Sequence, residues 1–186
     1  MATSTTTTTN TATTTWQIDP VHSEVEFSVR HLMISTVKGR FTDVQGTLQY
    51  NEADPTGSNV EVRIATASVD TRADQRDTHL RSADFFDAEH YPFMTFKSTR
   101  VERTGEGRGK LTGDLTIRGV TRPVTLDVKR EGRGKDPWGG ERLGFSATTV
   151  LNREAFGLTW NQALETGGVV VGEEVKVSIE VEWVKQ

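Results

Sequence analysis

The chain has no cysteine among its 186 residues, which excludes disulfide staples, thiolate nucleophiles and zinc–thiolate sites together. It has no apolar run long enough to span a bilayer as a helix. Its first residues carry neither a basic stretch nor an apolar stretch of the secretory kind, so a cytoplasmic location is expected. Positive charge is not in excess: the formal net charge is −4 and the pI near 5.6. The basic stripe of a nucleic-acid binder is therefore missing. Histidine is scarce, at four residues, with none at the i, i+4 or zinc-type spacing, so no metal site is assigned. There is no G-x-S-x-G elbow. Asp77, His79 and Ser82 are the nearest approach to a hydrolase triad, but local adjacency is not triad geometry. No catalytic residue is assigned and the protein is not expected to be an enzyme.

What is present points to one β domain. The length fits a single domain, and the 34% apolar content is lean but above the disordered range. Residues 1–15 are nearly all threonine and have nothing to bury, so a disordered tail is expected there. From Trp16 to Gln186 the sequence alternates. Val25, Phe27 and Val29 oppose Glu24, Glu26, Ser28 and Arg30, the pattern of a half-buried strand. Gly39 to Tyr50 reads as a longer strand whose parity slips, which a bulge near Asp43 or Gly46 would reconcile. Val60, Val62 and Ile64 share a face, as do Met94 and Phe96. Leu111, Leu115 and Ile117 continue the pattern, followed by Val124, Leu126 and Val128. Leu143, Phe145, Ala147 and Leu151 form another inward face. The clearest strand runs through Val175, Val177, Ile179, Val181 and Trp183. Glycine-bearing turns separate these runs, and no βαβ spacing occurs. About eight amphipathic strands in a meander predict an all-β, antiparallel up-and-down barrel.

One stretch breaks the pattern, from Asp70 to Ser98. Leu80, Ala83, Phe85 and Phe86 fall near helical spacing, Thr78 suits a cap, and Pro92 marks the return to strand. This predicts a short helix over Asp77–Phe86, laid across the barrel mouth with a Phe-Phe wedge. So short a helix needs such a support. Arg76 suits a two-pronged contact with a carboxylate, with Asp74 and Asp84 as the candidates, as well as a contact with a ligand head group. The aromatics Phe27, Phe41, Phe85, Phe86, Phe93, Phe96, Phe145, Phe156 and Trp160 suit either a packed core or a cavity wall. Periodicity does not separate the two.

The ordered motifs Trp16-x-Ile-Asp-Pro-x-His-Ser23, Phe27-x-Val-x-His31, Val37-x-Gly-x-Phe41, Asp70-Thr71, Arg76-Asp-x-His-Leu80, Asp84-Phe-Phe-Asp87, Tyr91-Pro92, Gly113-x-Leu-Thr-Ile-x-Gly-Val-Thr121, Asn152-Arg153, Phe156-Gly-Leu158 and Val171-Gly-x-x-Val175 carry a resemblance. They span Trp16 to the end, and with them the chain resembles the YceI-like, polyisoprenoid-binding, lipocalin-like family. The resemblance implies a lipocalin-like barrel around an apolar tunnel that takes an isoprenoid quinone or polyprenyl tail. It makes candidate ligand-binding residues of Phe27, Val29, His31, Phe41, Ile64, His79, Phe85, Phe86, Met94, Phe96, Leu115, Ile117, Phe145, Arg153, Phe156 and Trp160. Arg153 suits a brace for the loop that follows it as well as a head-group contact. The expected partner is a small lipid, with no other cofactor. Transient membrane contact and a homodimer are both compatible with the reading. The alternatives are a carrier of fatty acids or their amides, an enzyme acting on such a lipid, and a packed structural barrel.

Overall fold

The computed structural model describes residues 12–186. The disordered tail expected over residues 1–15 lies largely outside them. The first strand, β1 (Thr14–Ile18), starts two residues before the expected boundary, because Thr14 and Thr15 pair with Tyr50 and Gln49. The strands that follow are β2 (Glu24–His31), β3 (Ser35–Phe41), β4 (Val44–Tyr50), β5 (Asn59–Ala65) and the two-residue β6 (Val69–Asp70). Among the described residues one α-helix, α1 (Asp74–Arg81), leads to the long strands β7 (Phe93–Gly105), β8 (Arg108–Ile117), β9 (Val120–Lys135), β10 (Glu141–Asn152) and β11 (Val171–Lys185).

Among the described residues every pairing is antiparallel; β2–β3, β4–β5 and the run from β7 to β11 pair in sequence order, while β1 joins β4 and β11, β2 joins β11, β3 joins β6 and β5 joins β7. Among the described residues, β1, β4, β5, β7, β8, β9, β10 and β11 form a ring of eight, closed where Trp16 pairs with Lys185. Closure removes the exposed edges that an open sheet would present. β1 and β2 act as one broken strand along β11, and β3 and β4 as another. The second break falls at Thr42–Asp43, one of the two places the parity slip predicts. The β8–β9 turn places Arg118 and Gly119 at φ 49° and 71°, the twist a tight hairpin needs.

The insert departs from expectation. α1 covers Asp74–Arg81 rather than Asp77–Phe86, with Ala73 at its cap and Thr78 in its middle. The reason lies in Asp77, which turns inward to accept from Thr71 N (2.9 Å) and Thr71 Oγ1 (2.5 Å). That clasp starts the helix a turn early. Arg76 donates to Thr71 Oγ1 and to its carbonyl rather than to Asp74 or Asp84. Phe85 and Phe86 therefore follow the helix as part of a turn rather than lying on it.

The interior is packed at both ends. One cluster gathers Trp16, Leu48, Tyr50, Val60, Leu143 and Trp183. The other gathers Phe41, Val44, Val69, Phe85, Met94, Ile117, Phe156 and Leu158 under the insert.

Candidate functional site: an apolar cavity along the barrel

Between the two clusters the same inward faces behave differently. Trp16, Leu143 and Trp183 are 1%, 0% and 4% exposed. Val25, Phe27 and Val29 on β2, and Val175, Val177 and Ile179 on β11, are only half-buried although they point inward. They face open space. A cavity of about 780 Å³ occupies the barrel interior, within the range of small-molecule sites. Periodicity could not tell cavity wall from core; half-burial of inward residues marks the open stretch, and buried members of the cluster under the insert, such as Phe41 and Met94, border it as well.

All sixteen candidate residues lie on the cavity wall. β2 supplies Phe27, Val29 and His31, and β3 supplies Phe41. Ile64, Met94 and Phe96 come from the β5–β7 wall, and Leu115, Ile117 and Phe145 from β8 and β10. The insert brings His79, Phe85 and Phe86, and the segment after β10 brings Arg153, Phe156 and Trp160. Val37, Val124, Ala147, Val177 and Ile179 line it too and were not singled out as candidates. Their signal was the alternation of their strands, which does not rank one inward residue above another.

The end under the insert is sealed by rings. His79 meets Phe85 edge-on at 5.0 Å and Trp160 at 4.7 Å, and Phe85 lies 5.4 Å from Trp160. Phe86 sets its edge against Phe41 at 5.7 Å. Such contacts add to area burial because ring edges are positive and faces negative. Polar tethers hold the insert in place. Arg81 donates to the Ala67 and Val69 carbonyls, and Arg118 to the Phe85 carbonyl. His79 Nε2 shares a hydrogen bond with Asp84 at 2.8 Å.

Asp77 faces Thr71, His79 is held by Asp84, and the Ser82 hydroxyl donates to the His79 carbonyl. The three form no triad. Arg153, 6% exposed, gives its guanidinium to the carbonyls of Leu158, Trp160, Val171 and Gly172. It braces the loop before β11. Burial draws its pKa below the ordinary arginine value, and the carbonyl acceptors offset the cost of a buried cation.

At the opposite end Asp19, His22 and Glu182 bring ligand atoms within 4.8 Å of one another. Arg142 already supplies positive charge there, 2.5 Å from Asp19 and 2.8 Å from Glu182. A hydrogen bond from His22, with a further one from Arg142, holds the Asp19 carboxyl down at about 2. These residues are spread from position 19 to 182, and only strand register unites them.

A closed up-and-down barrel around an apolar chamber is the architecture of a single-chamber, cavity-bearing barrel of the lipocalin-like kind. The comparisons make the assignment specific: residues 16–183 match the YceI-like domain, and the chain belongs to that family. A UPF0312 protein of Pseudomonas putida (strain W619) is 42% identical over 165 residues, covering 89% of this chain and 82% of its own. The crystal structure of the Campylobacter jejuni YCEI protein is 35% identical with a TM-score of 0.73, covering 84% of this chain and 90% of that one. A polyisoprenoid binding domain from Saccharophagus degradans, implicated in plant cell wall breakdown, shares the fold at 15% identity and a TM-score of 0.66. It covers 92% of this chain and 98% of that one. Among the described residues no helix is long and apolar enough to cross a membrane.

Proposed function

We propose that the protein holds a long polyisoprenoid lipid, of isoprenoid-quinone or polyprenyl type, inside the barrel, and stores or carries it without covalent chemistry. The observation that carries this reading is the half-burial of inward-facing aliphatic residues around an apolar cavity of about 780 Å³. A barrel with no occupant would gain by collapsing onto such a space, since voids forfeit dispersion and transfer energy. The fold shared with a polyisoprenoid binding domain supports the class of ligand.

The energetics are favourable. Each methylene moved from water to the wall contributes about 0.8 kcal/mol. A tail of several isoprene units therefore exceeds an association cost of roughly 10 kcal/mol. The lipid should remain bound through purification. Arg76 and His79 are the polar side chains that the insert adds to the lining, and they stand where a polar head would meet the seal.

The test is mass spectrometry of an organic extract of the purified protein. A polyprenyl-type lipid in near-stoichiometric amount is expected. Fatty acids or their amides in the same amount would replace the ligand class. An extract with no lipid, together with failure to take up a long-tailed quinone, would overturn the reading.

A further inference from the structure

The β2–β3 turn is the most apolar exposed point of the insert end. Ile34 is 78% exposed and Met33 56%. Leu32 and Met33 both stand at positive φ, 52° and 62°. Turns of this shape favour glycine, asparagine or aspartate, because other side chains crowd their own backbone there. Here the chain places Leu-Met-Ile instead, and so accepts local strain to present apolar side chains to the outside. The turn is braced: Arg30 donates to the Met33 carbonyl (3.0 Å) and Thr36 Oγ1 (3.3 Å), and Leu32 N donates to the Val170 carbonyl (2.8 Å). Arg30, His31 and Val170 also line the cavity, so this tip adjoins it.

We infer that the β2–β3 tip dips into the surface of a neutral lipid bilayer and so places the cavity where lipid enters and leaves; this rests on the carrier reading above. Two exposed side chains on a convex turn are far short of the roughly 800 Å² per partner of a stable protein interface. A bilayer needs no matching shape. The net charge of −4 gives no general attraction to anionic lipid, so contact comes from apolar insertion. Trp138, 87% exposed at the β9–β10 turn, lies at the opposite end of the barrel and serves as an internal control.

The experiment uses flotation with phosphatidylcholine vesicles and transfer of a long-tailed ubiquinone between vesicles. Met33→Asp/Ile34→Asp should slow transfer by about tenfold or more while leaving quinone bound per protein unchanged. Aspartate tolerates the left-handed turn, so the fold is kept. Ile34→Trp should increase flotation, since indole favours the interface, and Trp138→Asp should change nothing. Transfer at the wild-type rate by the double aspartate variant would overturn the inference. So would a wild-type dimer that the double variant abolishes, which would assign the tip to a second copy. If the protein took up no lipid, the carrier reading would fail instead, and flotation of the empty protein would still decide what the tip touches.

Discussion

The two ends of this barrel are closed by different means. At one end Trp16, Leu48, Tyr50, Leu143 and Trp183 come from strands hydrogen-bonded into the ring, and each is 7% exposed or less. Charged side chains frame them: Arg133 bridges Glu52 and Glu141, Lys185 meets Glu141 at 2.7 Å, and Arg142 joins Asp19, Asp136 and Glu182. At the other end the seal comes from a helix of eight residues and two loops. They are tied down by Thr71–Asp77, by arginine-to-carbonyl bonds and by five rings set edge to face. So short a helix has little stability of its own. An end built into the sheet opens only when the barrel unfolds. An end built from tethered loops can open by itself at lower free energy. The carrier role proposed above calls for one of each.

The largest effect is expected at the plugged end. Trp183→Ala should cost about 3–5 kcal/mol of global stability, the usual loss for a buried aromatic, seen as a lower urea midpoint. Lipid per folded protein should stay unchanged. If lipid were lost first, the plug would be part of the gate and the two ends would not differ as described.

Asp77→Ala strikes the other end. It leaves the Thr71 N–H and hydroxyl without their acceptor, at a cost of about 2 kcal/mol. The effect should be local: faster hydrogen exchange over residues 70–91 and faster lipid release, with less change in the urea midpoint than Trp183→Ala. Uniform destabilisation of all strands would contradict a separately opening insert.

How the chain announces these features is uneven. The strands were legible because each inward face keeps a period of two from Val25 to Trp183. The break at Asp43 was legible from the parity slip between Phe41 and Val44. The insert was legible as an insert, but not its boundaries. Ala83, Phe85 and Phe86 matched helical spacing, while the Asp77–Thr71 clasp, which sets the helix start, joins side chains with no signature of their own. The wall residues were legible as inward, but cavity and core demand the same residue types. Arg153 left two readings open; its bonds to four carbonyls select the brace. The ring of charges around Arg142 depends wholly on strand register and could not be read.

A smaller effect separates the two phenylalanines. Phe85 is 6% exposed and packed on His79 and Trp160, whereas Phe86 is only half-buried beside Phe41. Phe86→Ala should cost about 1 kcal/mol, less than a full core truncation, and shorten lipid retention. Phe85→Ala should lose more stability. Equal losses in both would show that the insert works as scaffold only.

The smallest effect is set by pH. The Asp19 carboxyl, held at about 2 in the folded protein against an ordinary value of 3.8, favours the fold above pH 4. That contribution fades as pH falls from about 4 through 2, because the unfolded chain takes up the proton first. Screening keeps it near 1 kcal/mol. Glu141 is likewise held at about 2, by Arg133 and Lys185, so acid should loosen this end in the same window. Asp19→Asn should flatten the acid limb of a stability–pH curve; an unchanged limb would mean that the network adds nothing.

The central claim is that the inward faces of the strands enclose a ligand. Ala147 sits midway along β10, lines the cavity, and pairs with Val128 and Ile179 away from both seals. Ala147→Phe fills space without touching either end. Native mass spectrometry after loading with a long-tailed ubiquinone is the direct measurement. The account predicts near-stoichiometric quinone on the wild type, and loss of most of it in Ala147→Phe, with the melting temperature kept or raised. Equal quinone on both proteins would place the ligand outside the barrel and contradict the account.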